Sequence, residues 1–181
     1  MAAIKDPGAT PEALSIKRIG IIGAGQMGSG IAHVAAVTGI EVVMNDIGQE
    51  QLDKAIAGID RNLDRQVSRE KISDAQKHKA LSLLSASTEF EALSECDIVI
   101  EAATEKEDIK RAIYKDVIPS LRKDAIIASN TSSISITKLG AATDRPERFM
   151  GMHFMNPVPI MQLVELIPGI ATDDRTHKVV E

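Results

Sequence analysis

Two side chains late in the chain have the types and the setting for proton transfer. His153 stands in Gly151-Met-His-Phe-Met-Asn156-Pro157, at the end of an apolar β pattern, and Glu165 interrupts the apolar run Leu163-Val-Glu-Leu-Ile167. A carboxylate in such a run is costly to bury unless a partner bonds its charged form, and His153 is the natural partner. Bonded to one imidazole nitrogen, a carboxylate fixes the tautomer, raises the basicity of the other nitrogen and steadies the imidazolium formed when a proton is taken up. Such a pair can take or return a hydroxyl proton. The competing reading, a core histidine satisfied by backbone, would prevail for a lone His; the isolated Glu and the motif upstream count against it.

His153 has no second His or Cys at metal-ligand spacing, and no Gly-x-Ser-x-Gly elbow supplies a nucleophile, so no metal is expected and the electrons must come from a cofactor. Near the N-terminus a β-branched run from Arg18 ends in Gly23-Ala24-Gly25-Gln26-Met27-Gly28, and a helical pattern follows without a break. Such a turn is tight at Gly23, admits a pyrophosphate against the backbone at Gly25 and packs helix on strand at Gly28. The helix N-terminus would receive the diphosphate. Three glycines alone are weak evidence, but a second strand pattern, Glu41-Val-Val-Met-Asn-Asp46, closes in an acid at about the 20-residue distance at which a carboxylate bonds ribose hydroxyls. Asp46 repels a 2′-phosphate and Ile47-Gly-Gln-Glu-Gln51 offers no cation to receive one, which selects NAD over NADP.

Positioning these groups requires apolar runs that alternate with segments of 3.6-residue period, the pattern of an α/β, doubly wound, Rossmann-type and mostly parallel sheet. Strands are expected near Arg18–Ile22, Glu41–Asn45, Ser85–Thr88, Asp97–Ala102, Ala125–Ser129, Phe149–His153 and Leu163–Ile167. Helices are expected over Met27–Thr38, Gln49–Ser68, Asp74–Leu84, Phe90–Glu95, Glu105–Ser120 and Ser135–Ala141. The domain spans 16–171. Between the second and third strands lie two helical patterns where one crossover would serve, a helical hairpin over about 49–84. Its second helix starts at the capping box Ser73-Asp-Ala-Gln76, and its first carries Arg61, Arg65 and Arg69 on one side, with Lys71 at the tip. The stripe is either a solvated face or a site for a polyphosphate. The strand ends carry further polar groups: Glu101-Ala-Ala-Thr-Glu105 and Ser129-Asn-Thr-Ser-Ser133. Asn130 to Ser133 are helix caps or ligand contacts, with Ser132 the candidate contact. His33, His78 and His177 fall on helical patterns and are expected to be solvated or packed.

The bulk numbers narrow the class. The chain has 181 residues, a net charge of −5, three Phe, one Tyr and no Trp, which argues against a nucleic-acid surface. Cys96 is the sole cysteine, in keeping with a reducing, cytoplasmic compartment. No apolar run is long enough for a bilayer, so no membrane partner is expected. Residues 1–15 read as a disordered leader. After Thr172, expected as a cap, a helical pattern runs to Glu181; about nine residues with nothing to pack on are marginal, so 172–181 read as the start of a truncated helical domain.

Taken together, Gly-Ala-Gly-Gln-Met-Gly-Ser-Gly-Ile-Ala, Ile-Glu-Ala-Ala-Thr-Glu, Ser-Asn-Thr-Ser-Ser and Gly-Met-His-Phe-Met-Asn-Pro-Val-Pro resemble the N-terminal domain of the 3-hydroxyacyl-CoA dehydrogenase family, particularly its bacterial 3-hydroxybutyryl-CoA type, from about Ile16 to Ala171. The resemblance implies that His153 is the acid/base, that Glu165 orients it and that Ser132 bonds the substrate's 3-oxygen. It implies NAD contacts from Asp46, Glu105, Lys110, Ser132 and Asn156, and coenzyme A contacts in the hairpin, where Asn62, Arg69 and Lys71 stand. Members of the family continue into a helical domain of about 100 residues that closes the cleft and forms a homodimer; this domain is absent from these 181 residues. The expected reaction is NAD-dependent oxidation of a (3S)-3-hydroxyacyl-CoA to the 3-ketoacyl-CoA, or the reverse. The rivals are a dehydrogenase of free 3-hydroxy acids and a non-catalytic NAD-binding module.

Overall fold

The computed structural model describes residues 16–181, so the leader expected over 1–15 lies outside them. In chain order the elements are β1 (Arg18–Ile22), α1 (Gln26–Val37), β2 (Glu41–Asn45), α2 (Gln49–Ser68), α3 (Asp74–Ser82), β3 (Leu84–Ser87), β4 (Ile98–Glu101), α4 (Glu107–Val117), β5 (Ile126–Ser129), α5 (Ile136–Gly140), β6 (Phe149–Phe154), β7 (Val164–Pro168) and α6 (Asp174–Val180). They form one seven-stranded sheet of order β3-β2-β1-β4-β5-β6-β7. Neighbours are parallel from β3 through β6, and β7 alone runs antiparallel, on β6. The doubly wound, mostly parallel sheet expected from the alternation is therefore present.

Successive side chains leave a strand on opposite faces, so each central strand feeds two cores. Ile98 and Ile100 of β4 join a cluster with Ile31 and Ala32 of α1, while Val99 joins one with Tyr114 and Val117 of α4. Both faces are covered, so these strands are apolar without a break. The expected helix at Phe90–Glu95 is only a 3-10 turn over Phe90–Leu93, and the helix expected to reach Ser120 leaves the α form at Val117 for a 3-10 turn over Ile118–Ser120; Pro119 has no N–H with which to continue the α ladder.

The hairpin is a third layer of the first core. Leu52, Ala55, Ile59 and Leu63 make one buried stripe on α2, and Ala80 of α3 joins the same cluster. Ser73 caps α3 with the full reciprocal box expected of it. Asp60 and Asp64, beside the arginine stripe in sequence, hold Lys77 of α3, which lies 2.8 Å from Asp60 and also bonds Asp64. At the tip, the Glu70 N–H donates to Val67 O at 2.8 Å and the Lys71 N–H to Gln66 O at 2.9 Å, a Schellman ending whose left-handed position is normally Gly. Here it is Glu70, at φ 55.

The C-terminal end departs from expectation. Thr172 does not cap α6: its hydroxyl donates to Phe149 O at 2.6 Å and accepts from Gly169 N at 2.8 Å, tying the start of β6 to the end of β7. The cap is Asp173, which accepts from Thr176 N at 2.6 Å. Nor does the helix lack packing, since Val179 and Val180 rest on the first core and Thr176 is buried.

A left-handed backbone costs a residue with a Cβ about 1–2 kcal/mol, partly offset for glycine by its greater freedom when unfolded. Glu70→Gly is expected to stabilise the protein by about 0.5–1 kcal/mol, raising Tm by about 1–4 °C, as read from thermal melts.

Candidate active site

The connections from β1 lead to β2 on one side and, through the chain's return, to β4 on the other, so the crevice between β1 and β4 is the topological switch point of the sheet. The glycine turn lies there. The Gly23 N–H donates to Asn45 O at 2.8 Å. Its φ is +101, and a Cβ on it would sit 2.6 Å from Ala103 Cα; one on Gly28 would sit 1.8 Å from Gly23 O. Both glycines are required by the fold itself. Gly25 is different: its φ is −70, and a Cβ there would meet nothing within 4 Å. The protein leaves room for a side chain there, and a dinucleotide lying against that backbone would fill it. Gly25 is also the N-cap of α1 and no side chain bonds the helix start, which leaves its first N–H groups for an anion. Asp46 faces the turn, half-buried, accepting from Ala24 N at 2.7 Å and Gly48 N at 3.2 Å. Ala24, Gln26 and Met27 complete the cradle, and the Gln26 amide donates to Asn156 Oδ1 at 3.0 Å, joining the turn to the loop after β6.

The ends of β4 and β5 hold a buried charge cluster that the sequence did not announce. Glu101 and Lys110 are 0% and 1% exposed and pair at 2.6 Å. The Tyr114 and Ser129 hydroxyls donate to the same Glu101 oxygen at 3.1 and 3.0 Å, and its other oxygen accepts from Ala103 N at 2.9 Å. Burial, with the Glu101 charge beside it, pushes the Tyr114 pKa far above its usual value, so the phenol stays a donor. Lys110 is closed over and already bonded to Glu101 and Ser129, contrary to the direct NAD contact expected of it; it lies 3.9 Å from Glu105 and reaches the crevice through that side chain.

Glu105 is itself tightly held. One oxygen accepts from Thr131 Oγ1 at 2.5 Å, Ser132 N at 2.9 Å and Oγ at 3.2 Å, and Ser133 N at 3.2 Å and Oγ at 3.1 Å. Burial raises its pKa, but these donors and the Lys110 charge outweigh it and hold the carboxyl below the ordinary glutamate value. Asn130 does not cap a helix; its side chain accepts from Phe154 N at 2.9 Å, so β5 fixes the end of β6.

There the proton-transfer pair stands. His153 and Glu165 are directly opposite in the β6–β7 register, with Nδ1 of the imidazole 2.7 Å from Oε2 of the carboxylate. A carboxylate only accepts, so Nδ1 is the donor in this pair and Nε2 is the nitrogen left to exchange a proton. The premise of a buried Glu165 was mistaken: the side chain is 52% exposed, because β7 is an edge strand with one open face. The pairing follows from register rather than from desolvation.

Asn62, Arg69 and Lys71, with Arg65, line one cavity of about 320 Å³ between the hairpin and Pro157–Ile160. Arg61 is not part of it, and His33, expected to be unremarkable, is. Among the described residues no cluster of His, Cys, Asp or Glu could hold a metal, and no helix is long and apolar enough to cross a membrane.

Residues 18–181 match the family described as 3-hydroxyacyl-CoA dehydrogenase, NAD binding domain. The chain is 57% identical over 163 residues to a 3-hydroxybutyryl-CoA dehydrogenase of Bradyrhizobium diazoefficiens, covering 90% of this chain and 56% of that protein. It is 45% identical over 163 residues to a probable 3-hydroxybutyryl-CoA dehydrogenase of Deinococcus radiodurans, covering 90% and 58%. The crystal structure of an (S)-3-hydroxybutyryl-CoA dehydrogenase from Ralstonia eutropha superposes with a TM-score of 0.90 at 52% identity, over 92% of this chain and 59% of that one. The chain therefore spans less than two thirds of these relatives.

Two outcomes follow from the geometry. Gly28→Ala should unfold or strongly destabilise the domain, whereas Gly25→Ala should leave Tm within about 1–2 °C and weaken NADH binding, as read by fluorescence titration. A carboxyl pKa depressed by folding adds stability above its unfolded value, and that stability is lost as pH falls through the folded value. Glu105→Gln should therefore lower Tm at neutral pH, with the gap to the parent narrowing below about pH 4.

Proposed function

Because the chain belongs to the 3-hydroxyacyl-CoA dehydrogenase family, as its NAD-binding domain, we propose that it serves the oxidation of a (3S)-3-hydroxyacyl-CoA, such as 3-hydroxybutyryl-CoA, to the 3-ketoacyl-CoA, or the reverse. The observation that carries this reading is the His153–Glu165 pair on β6 and β7, with the loop after β6 bonded through Asn156 to Gln26 at the start of α1. NAD, held by the glycine turn and Asp46, would supply the acceptor for the hydride that leaves the substrate's C3. In the same step His153 Nε2 takes the C3 hydroxyl proton, and the C–O bond becomes the ketone. The Glu165 carboxylate keeps Nδ1 protonated and offsets the positive charge that the ring acquires. The Ser132 hydroxyl, displaced from Glu105, holds the 3-oxygen as its bond order changes. Asp46 is the residue for the ribose hydroxyls, with Glu105 and Asn156 at the nicotinamide end and Lys110 steadying Glu105.

Over a free 3-hydroxy acid, a coenzyme A ester is favoured by Arg65, Arg69 and Lys71 around one cavity with Asn62, a setting for phosphates. A non-catalytic NAD-binding module would have no use for a histidine braced by a carboxylate in this position. The reading includes a homodimer formed through the part of the relatives that this chain does not span. It also includes a cytoplasmic setting, in keeping with Cys96, a buried thiol whose pKa burial pushes up to about 12.

His153→Asn should lower kcat for acetoacetyl-CoA reduction by about 10²–10⁴ with NADH affinity nearly unchanged, assayed on the whole gene product. Parental turnover in that variant contradicts the assignment.

A further inference from the structure

His33 sits where two cavities meet. The larger, described above, lies on its hairpin side. A second, of about 210 Å³, runs from His33 past Gly58 and Val158 to Gln26 and Asn156. The two share His33, Asn62, Pro157 and Pro159 and make one groove. Its floor is one stripe of α1, with Gln26, Gly30 and His33 on the same face. A Cβ on Gly30 would lie 2.9 Å from the Val158 side chain, so the groove's wall is seated directly on the helix.

The imidazole is 1% exposed and neither ring nitrogen has a hydrogen-bond partner. Burial lowers its pKa, and the Gln66 side chain, close to the ring but out of hydrogen-bond geometry, only partly offsets this, so the ring is neutral and offers one donor and one acceptor. Buried polar atoms are rarely left unpaired, and an unpaired one calls for an explanation. A histidine needed only for packing could be an apolar residue of similar size. At the hairpin end Arg65, Arg69 and Lys71 suit anions; at the other end Asn156 leads back to His153 and the glycine turn. His33 lies between, about 10 Å along α1 from Gln26 at 1.5 Å per residue, where a ligand linking the two ends must pass with an uncharged segment.

Resting on the substrate reading above, we propose that His33 binds the pantetheine arm of the coenzyme A ester, its donor and acceptor meeting a secondary amide of that arm once Gln66 turns aside. A secondary amide carries the complementary N–H and C=O, and a neutral ring in a largely apolar wall favours it over a phosphate.

The test is titration calorimetry on the whole gene product with three probes: acetoacetyl-CoA, adenosine 3′,5′-bisphosphate as the nucleotide end without the arm, and NADH. His33→Phe is expected to weaken acetoacetyl-CoA by about fivefold or more while the other two stay within about twofold. His33→Gln, which restores a donor and an acceptor, is expected to bind acetoacetyl-CoA nearly as the parent does. The phenyl variant should melt no lower than the parent, since it removes two unpaired buried atoms. Parental acetoacetyl-CoA binding by His33→Phe overturns the role of His33 and leaves the substrate reading standing. Equal weakening of all three probes, or a glutamine variant as weak as the phenyl one, overturns it too. A parent protein that binds neither acetoacetyl-CoA nor the bisphosphate sinks the substrate reading and this inference with it. Should His33→Phe fail to fold, the contrast between His33→Gln and His33→Leu decides in the same way.

Discussion

The buried pair of Glu101 and Lys110 joins the two halves of the site. Taking both charges out of water is costly, and the cost is met only because Tyr114, Ser129 and the Ala103 N–H satisfy the carboxylate as well. Each partner then fixes something functional. Through Ala103, Glu101 sets the loop whose backbone presses against Gly23 and leaves that position no room for a Cβ. On the other side, Lys110 lends its charge to Glu105, and Glu105 gathers the Thr131–Ser133 turn. The nucleotide turn and the serine turn are thus positioned by one electrostatic unit at adjacent strand ends. Removing either charge would strand the other in the core, at about 3–5 kcal/mol.

Placement at the sheet edge explains why so much was legible in the sequence. The apolar runs located all seven strands to within a residue or so, most plainly the central ones, where both faces of the sheet are covered and the run is continuous, as in β4. The glycine spacing was legible for a related reason: Gly28 answers to the Gly23 carbonyl five residues earlier and Gly23 to its own left-handed backbone, and local constraints leave local signatures. His153 and Glu165 were recognisable as a pair although the argument for Glu165 was wrong. What joins them is antiparallel register at an edge, and the sequence contains no statement of which strand runs backwards.

The missed features are those that depend on distant partners. Nothing in the neighbourhood of Glu101 distinguishes a solvated strand-end acid from one closed over by a lysine and a tyrosine on the next helix. The NAD contact that the resemblance implies for Lys110 took no account of that closure for the same reason. Thr172 and Asp173 are both good caps, and the choice between them was made by Phe149 O, a group more than twenty positions earlier in the chain. His33, on a helix with no polar neighbour in sequence, acquired its setting from the packing of α2 and the Pro157–Ile160 segment.

A physical division of labour follows. At the switch point the backbone does the work, with glycines, helix start and strand ends fixed by packing, so the cradle exists before any ligand arrives. Along the hairpin the groove is built from side chains, several of them exposed and long, whose positions a ligand can still adjust. α1 belongs to both: its first turn faces the glycine cradle and its third turn floors the groove. A single rigid helix of 12 residues thereby fixes the distance between a site that is preorganised and one that adapts. On the reading proposed above, an elongated substrate bound at its far end would be held in register with the imidazole at its near end, the arrangement that turns remote binding into orientation at the reacting carbon.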